Sequence, residues 1–411
     1  MKTALIVILA AGVGFVVASA IVSHRQAARH AAQLAEHQAA WQAERAELET
    51  ALAEARARAA ARVPAPIPPV APAAAPAPTR LSPPQIIARL QALRLTGNPG
   101  QGIREAAYWL EELRQLGPAA LPAIREYLAR NQDLDLDTSW FQSKAARGGN
   151  LPGDFLLPPS LRLGLFEVTR QIGGADTEKL LSETLGTTGR GVEVAYLTRL
   201  LQELAPHQYR DQALSVARDL LVGSFALNSP SALDRNHRDY LYGVLMFYND
   251  TSYASTAQSQ LVQSDGQLDT SALKYLHLSL GPQAVPIVAQ VYQDPRLAAD
   301  AARKEPLARL ALNYVGADSQ ANEFYQKAIN DPILTKSHRK NLIEDLNEGG
   351  FADPKNLTAN DLPLIQNRLA LLEQLAPTAM DDANAAAFKE AYRDLVNMRD
   401  RLVRPPNPGK P

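Results

Sequence analysis

The sequence predicts an all-α fold, a right-handed α-solenoid of stacked helical hairpins. Three observations lead there. The stretch Leu116-Gly117-Pro118-Ala119-Ala120-Leu121-Pro122-Ala123-Ile124 returns as Leu280-Gly281-Pro282-Gln283-Ala284-Val285-Pro286-Ile287-Val288. In both copies an apolar helix stops at a Gly, which supplies the left-handed residue that helix ends favour. A Pro follows where a new helix can start without needing its N–H. Apolar residues also keep a helical period from Gln85 to about Val403, while period-two alternation and β-branched runs are scarce after the N-terminus. A recurring joint between amphipathic helices implies stacking, because one hairpin cannot bury its apolar face alone.

Composition narrows the class further. At 411 residues the chain has room for one large domain or two ordinary ones. A formal net charge of −1 speaks against general affinity for nucleic acid or anionic lipid. With no cysteine, disulfides, thiolate metal sites, a Cys nucleophile and lipidation through an N-terminal Cys are all excluded.

Taken in order, Lys2 precedes an uncharged run from Thr3 to Ser23, long enough to span a bilayer. Residues 1–23 are expected to be a transmembrane anchor, through residues 4–22, or a signal peptide cleaved after Ala18-Ser19-Ala20. Ile21 and Val22 continue the apolar run past that point, which favours the anchor. Residues 24–62 are rich in Ala, Glu, Arg and Gln and predict a long helix of roughly 58 Å at 1.5 Å per residue. Leu34, Trp41 and Leu48 recur at heptad spacing, but Gln38 and Arg45 interrupt the second seam. The stalk is therefore at most a weak coiled coil, with any homodimer formed through residues 31–55. Residues 63–84 hold nine prolines and one charge, Arg80. That density forbids helix and sheet and predicts an extended spacer of up to about 68 Å at 3.1 Å per residue.

The repeat domain is expected over residues 85–403. Further joints fall at Ile172-Gly173-Gly174-Ala175, Leu204-Ala205-Pro206, Tyr248-Asn249-Asp250, Val315-Gly316-Ala317-Asp318, Leu346-Asn347-Glu348-Gly349-Gly350 and Leu375-Ala376-Pro377. Gly173 to Pro206, Gly281 to Gly316 and Gly316 to Gly349 are 33, 35 and 33 residues apart, and Pro206 to Gly281, at 75, is about two periods, each period the length of two helices and their turns. The joints at Leu116–Ile124 and Leu280–Val288 resemble those of HEAT repeats, the armadillo-type solenoids, particularly the short bacterial kind in which a Leu-Gly joint precedes an Ala/Leu-Pro helix. The resemblance implies a stack of hairpins whose second helices form an extended concave binding surface. Asn131 to Ser160 interrupts it, with no helical period and an Asp133-Leu134-Asp135-Leu136-Asp137 run. A final helix from Asp381 to Leu402, with a stripe of Phe388, Ala391, Tyr392, Leu395 and Leu402, reads as a C-terminal cap, and 404–411 as a disordered tail.

Candidate chemistry is thin. Asp133, Asp135 and Asp137 open like a calcium loop, but Thr138 and Lys144 stand where such a loop needs Gly and Glu, so a solvated acidic loop is expected instead. His207, His237, His277 and His338 lie singly, without the paired spacing of a zinc site. Gly186-Thr187-Thr188-Gly189-Arg190-Gly191 follows no strand and lacks the Lys-Ser/Thr pair of a phosphate loop. No catalytic residue, cofactor or metal is expected. Surface recognition rests on aromatics: Tyr242 and Phe247 fall off the stripe of Leu241, Val244, Leu245 and Tyr248, with Tyr240 beside them, Arg238 as a basic rim, and Trp140 and Phe141 in the insertion. These six are the candidate partner-binding residues, and core packing of the Tyr240, Tyr242, Phe247, Tyr248 and Tyr253 cluster against the next hairpin is the reading set against that patch. The expectation is a non-catalytic scaffold binding a protein or peptide, on a stalk held at the bacterial inner membrane with its C-terminal domain in the periplasm. The alternatives are release into the periplasm after cleavage and an enzyme, or enzyme subunit, whose site is built on 131–160.

Overall fold

The computed structural model describes residue 50 and residues 80–93, 99–143, 151, 157–223, 231–297, 300–351, 353–375 and 382–403. The anchor or signal at 1–23, the homodimer seam, the tail and, Thr50 aside, the stalk lie outside the described residues, as does most of the spacer. The chain divides between Thr79 and Arg80 into two units, and the second, Arg80–Pro411, holds everything below. Among the described residues there is no β-strand, only two isolated bridges, and no helix is long and apolar enough to cross a membrane.

The helices, in chain order, are α1 (Pro83–Gln91), α2 (Pro99–Gln115), α3 (Leu121–Ala129), the single turn α4 (Ser139–Gln142), α5 (Leu161–Ile172), α6 (Ala175–Thr187), α7 (Gly191–Leu204) and α8 (Arg210–Val222). There follow α9 (His237–Phe247), α10 (Ala254–Gln260), α11 (Thr270–Leu280), α12 (Ala284–Val291), α13 (Ala301–Ala311), α14 (Ser319–Ile329), α15 (Lys336–Glu344), α16 (Leu362–Leu375) and α17 (Asp382–Val403). Helix α1 begins inside the stretch read as spacer. Pro is tolerated in a first turn, and the Ser82 N–H is satisfied by Gln85 Oε1 at 2.9 Å.

Helices pack chiefly on their chain neighbours and on the helix two places along. One series runs α5, α7, α9, α11; another runs α3, α6, α8; nearer the C-terminus α12 meets α14, α13 meets α15 and α15 meets α17. This order is compatible with an α-solenoid. Leu197, Leu245 and Leu276, one from each of α7, α9 and α11, are fully buried along the first series. Each contributes about 1.5–3 kcal/mol by leaving water.

Every sequence-identified joint from Gly117 to Gly350 falls between two helices. Gly281 has φ 59° and ψ −132°, and Gly173 has φ 72° and ψ 174°. These are mirror-extended conformations rather than the compact left-handed turn, and they are essentially restricted to glycine. Where the joint has no glycine, His207 (φ 64°) and Asn249 (φ 52°) take the positive-φ place. Asp269, Asp300, Asp318 and Thr335 then cap α11, α13, α14 and α15 through their side chains. In α17, Phe388, Ala391 and Leu395 of the expected stripe are buried, whereas Tyr392 is exposed and donates to Glu373 at 2.8 Å.

Candidate partner-binding site

The six aromatic and basic residues singled out by sequence do not form one open patch. Tyr240 and Tyr242 are fully buried and Phe141 nearly so. The reason lies in the packing of α9, which meets α7, α8 and α11 at once. A single stripe at i, i+3, i+4 and i+7 describes a helix covered on one side only; here both flanks are covered. The Tyr242 ring stacks on Tyr275 with centroids 5.2 Å apart, and the Arg238 guanidinium lies 5.6 Å from its centroid. Burial pushes the Tyr242 hydroxyl well above its ordinary range. Arg238 is not a free rim either: its Nε donates to Asp269 at 2.6 Å, and its other nitrogens reach Leu221 O and Gln260. Asp269 therefore both caps α11 and holds α9.

The remaining aromatics come together around α9. Phe141, on α4, packs edge-on against Tyr240 at 6.4 Å and against the half-buried Trp140 at 5.1 Å. Phe247, at the end of α9, is 53% exposed. Between α7 and α9 lies a cavity of about 170 Å³, lined by Tyr240, Gly243, Val244 and Phe247 of α9, Ala195, Thr198 and Arg199 of α7, and Leu151 of the insertion.

The acidic run in the insertion is structural. Asp133 accepts from Leu134 N at 2.8 Å, Arg162 N at 3.0 Å and Arg190 Nη1 at 3.3 Å. Asp135 accepts from the Ser231 hydroxyl at 2.6 Å, and Asp137 from Ser139 N at 3.0 Å. Three carboxylates with three separate partners do not share one ion. They correct the reading of a solvated loop as well, because Asp133 is buried and burial pushes its carboxyl up to about 6. Beneath it, Arg162 makes a two-pronged pair with Glu193 at 2.7 and 2.9 Å, both side chains 1% exposed. Arg162 also donates to Leu128 O, and Thr188 donates to Glu193 at 2.6 Å. Nothing in the sequence marked this cluster, since Arg162 and Glu193 look like ordinary helix-surface charges until two helices close over them.

The isolated histidines each have a local role: His207 turns a joint, His237 accepts from Gly191 N at 3.0 Å, His277 meets the Tyr314 hydroxyl at 3.1 Å, and His338 meets Thr335 at 2.8 Å. Among the described residues no group of three or more His, Asp or Glu could hold a metal ion. Thr188 to Arg190 form the turn between α6 and α7.

A larger groove, of about 780 Å³, runs between α12 and α14. Its rim is exposed Pro286, Gln290, Gln320, Glu323 and Lys327. In its floor the Lys304 ammonium lies 2.8 Å from Asp331 and 4.3 Å from the centroid of Tyr292, whose ring packs edge-on against Phe324 at 5.2 Å. Burial alone would raise Asp331, but the Lys304 ammonium and the Ile333 N–H, with Tyr292, together hold the carboxyl below its ordinary value. The pairing leaves a groove with an apolar and aromatic floor, an internally neutralised charge pair and a rim of mixed hydrogen-bonding groups. Such a surface suits an extended peptide or a helix edge. No family model matches the chain, and no curated protein or solved structure matches it.

Proposed function

We propose that this chain is a non-catalytic interaction scaffold. In this reading Arg80 onward is a right-handed, HEAT-like α-solenoid that binds a protein or peptide partner along its second helices. An uncleaved segment through residues 4–22 tethers it to the bacterial inner membrane, and the stalk and Pro/Ala spacer hold it out in the periplasm. The observation that carries the reading is the groove between α12 and α14. It lies between α12 and α14, which the solenoid reading makes the second helices of successive hairpins, and its floor charge is already neutralised, so a partner need not bring a counter-ion. Among the described residues of 131–160, Asp133 and Asp135 fasten the insertion to α5, to Arg190 ahead of α7 and to Ser231, which supports the scaffold reading over an enzyme built there.

The test is a photo-crosslinking amino acid at Gln290 or Glu323 of the full chain in its native membranes. A discrete adduct that disappears when Ala289→Trp fills the groove is the expected result. Absence of any adduct at both positions would overturn the reading. The tether is checked separately: the protein should stay in carbonate-washed membranes with its N-terminus intact, and a mature N-terminus at Ile21 would end the anchor.

A further inference from the structure

We propose that the domain is hinged at Gly281, and that the segments before α11 and after α12 form a clasp that opens and closes about it. The observation is where the stack thins. At every other joint between described helices, a helix on one side packs on a helix beyond its immediate neighbour on the other, as α1 does on α3, α7 on α9, α9 on α11 and α12 on α14. At Gly281 no pair does so beyond a grazing touch. Helix α11 packs on α9 and α10, α12 packs on α13 and α14, and the two meet each other only thinly. The joint at Gly117 has nearly the same Leu-Gly-Pro sequence, yet α1 on α3 and α2 on α5 bridge it. Packing, not the motif, sets Gly281 apart.

The backbone there suits a pivot. Gly281 holds φ 59° and ψ −132°, and a Cβ on it would meet nothing within 4 Å. A glycine with no close neighbour absorbs the dihedral change that a hinge requires. At this end of α11, His277 meets the Tyr314 hydroxyl at 3.1 Å, where rotation about the pivot moves the two least.

The far end of the α11–α12 hairpin is closed by polar contacts. Helix α11 has 11 residues, which sets that end about 16 Å from the pivot at 1.5 Å per residue. Arg296 Nη1, beyond α12, donates to Val262 O at 3.0 Å and to Gln263 O at 3.4 Å, and Arg303 Nη1, on α13, donates to Asp265 O at 3.2 Å. The Arg296 side chain is 47% exposed. Hydrogen bonds this open to water exchange with it at little net cost, so the clasp can release. Gln258 of α10 also donates to Gln290 of α12 at 3.3 Å. Gln290 lines the groove between α12 and α14, so the clasp and the proposed binding surface share a residue.

The test is the distance between paired nitroxide labels on the full chain, measured by double electron–electron resonance. The chain has no cysteine, so two introduced ones are labelled uniquely. Ser215→Cys on α8 with Lys340→Cys on α15 spans the joint, and Arg104→Cys on α2 with Ser215→Cys is the control within the first half; all three positions are exposed. The expected result is a spanning distribution at least twice as wide as the control. Arg296→Ala/Arg303→Ala should widen it further and leave the control unchanged, which shows that the first half stays folded. A spanning distribution as narrow as the control, or one that the double variant leaves as it was, would overturn the proposal. Neither outcome depends on the scaffold reading, which the crosslinks at Gln290 and Glu323 test separately.

Discussion

Arg162 and Glu193 are the residues on which the middle of the domain depends most. Both are 1% exposed, and each satisfies the other through two hydrogen bonds. Removing one partner of such a pair leaves a buried charge uncompensated, so Glu193→Leu should cost about 3–5 kcal/mol in urea unfolding. The double variant Arg162→Met/Glu193→Leu should recover most of that loss; a double variant as unstable as the single would show that the charge pair is not the origin. Asp133, above them, makes the domain sensitive to pH. Its carboxyl rises from 3.8 unfolded to about 6 in the fold, because burial penalises the charged form. Between those values the native state holds the proton more tightly than the unfolded chain. The stability this group contributes is therefore full below pH 4 and is lost as pH rises through about 6. Asp133→Asn should flatten the fall in thermal midpoint between pH 4 and 6, and parallel profiles for the two proteins would refute this. None of this was legible in the sequence. Asp133 is brought against Arg190, which also reaches Asp234, by folding of distant segments, and an alternating acidic run reads as solvated until its partners are in view.

At the scale of the element, the joints were the most legible part of the chain. A helix end must satisfy its last carbonyls and reverse direction, so Gly, Asn and Pro appear there whatever the function. Gly281 and Gly173 proved to hold extended mirror conformations, and nothing lies within 4 Å of either Cβ position. Gly281→Ala should thus cost about 1–3 kcal/mol through backbone strain alone. A urea midpoint unchanged by the substitution would mean that the joint tolerates another backbone path. Gly191→Ala fails for a different reason, since its Cβ would stand 2.4 Å from His237 O. For the aromatic cluster two readings stood at this same scale, and core packing is the one that holds for Tyr240 and Tyr242. Tyr240 and Tyr242 were judged against one apolar stripe, which holds for a helix at the edge of a domain. Helix α9 has neighbours on both flanks, and its pattern of Tyr, Leu, Tyr, Val and Leu is that of a helix buried nearly all round. Phe247 alone of the six stays substantially exposed, at the helix end where the flanking contact gives out.

Across the whole molecule, the order of packing decides how stability is shared. If hairpins stack as proposed, each region is held by its nearest neighbours and a local loss should stay local. Arg368 of α16 offers the sharpest place to ask. It is fully buried, and its guanidinium donates to Val315 O and Leu312 O, both at 2.9 Å, and to Leu346 O. Those carbonyls end α13 and follow α15, and Phe351 lies 4.9 Å away under the cation. Burial lowers the guanidinium to about 10, so it remains charged at neutral pH, facing the negative ends of two helices. Arg368→Met keeps most of the volume but strips the carbonyls of their donors, at about 3 kcal/mol or more. In a stack, that cost should appear as faster amide exchange in α13, α15 and α17, by about a hundredfold or more, while α5 to α8 keep their protection. Exchange that quickens equally from α2 to α17 would instead describe one cooperative globule, and the nearest-neighbour architecture on which an extended binding surface depends would have to be given up.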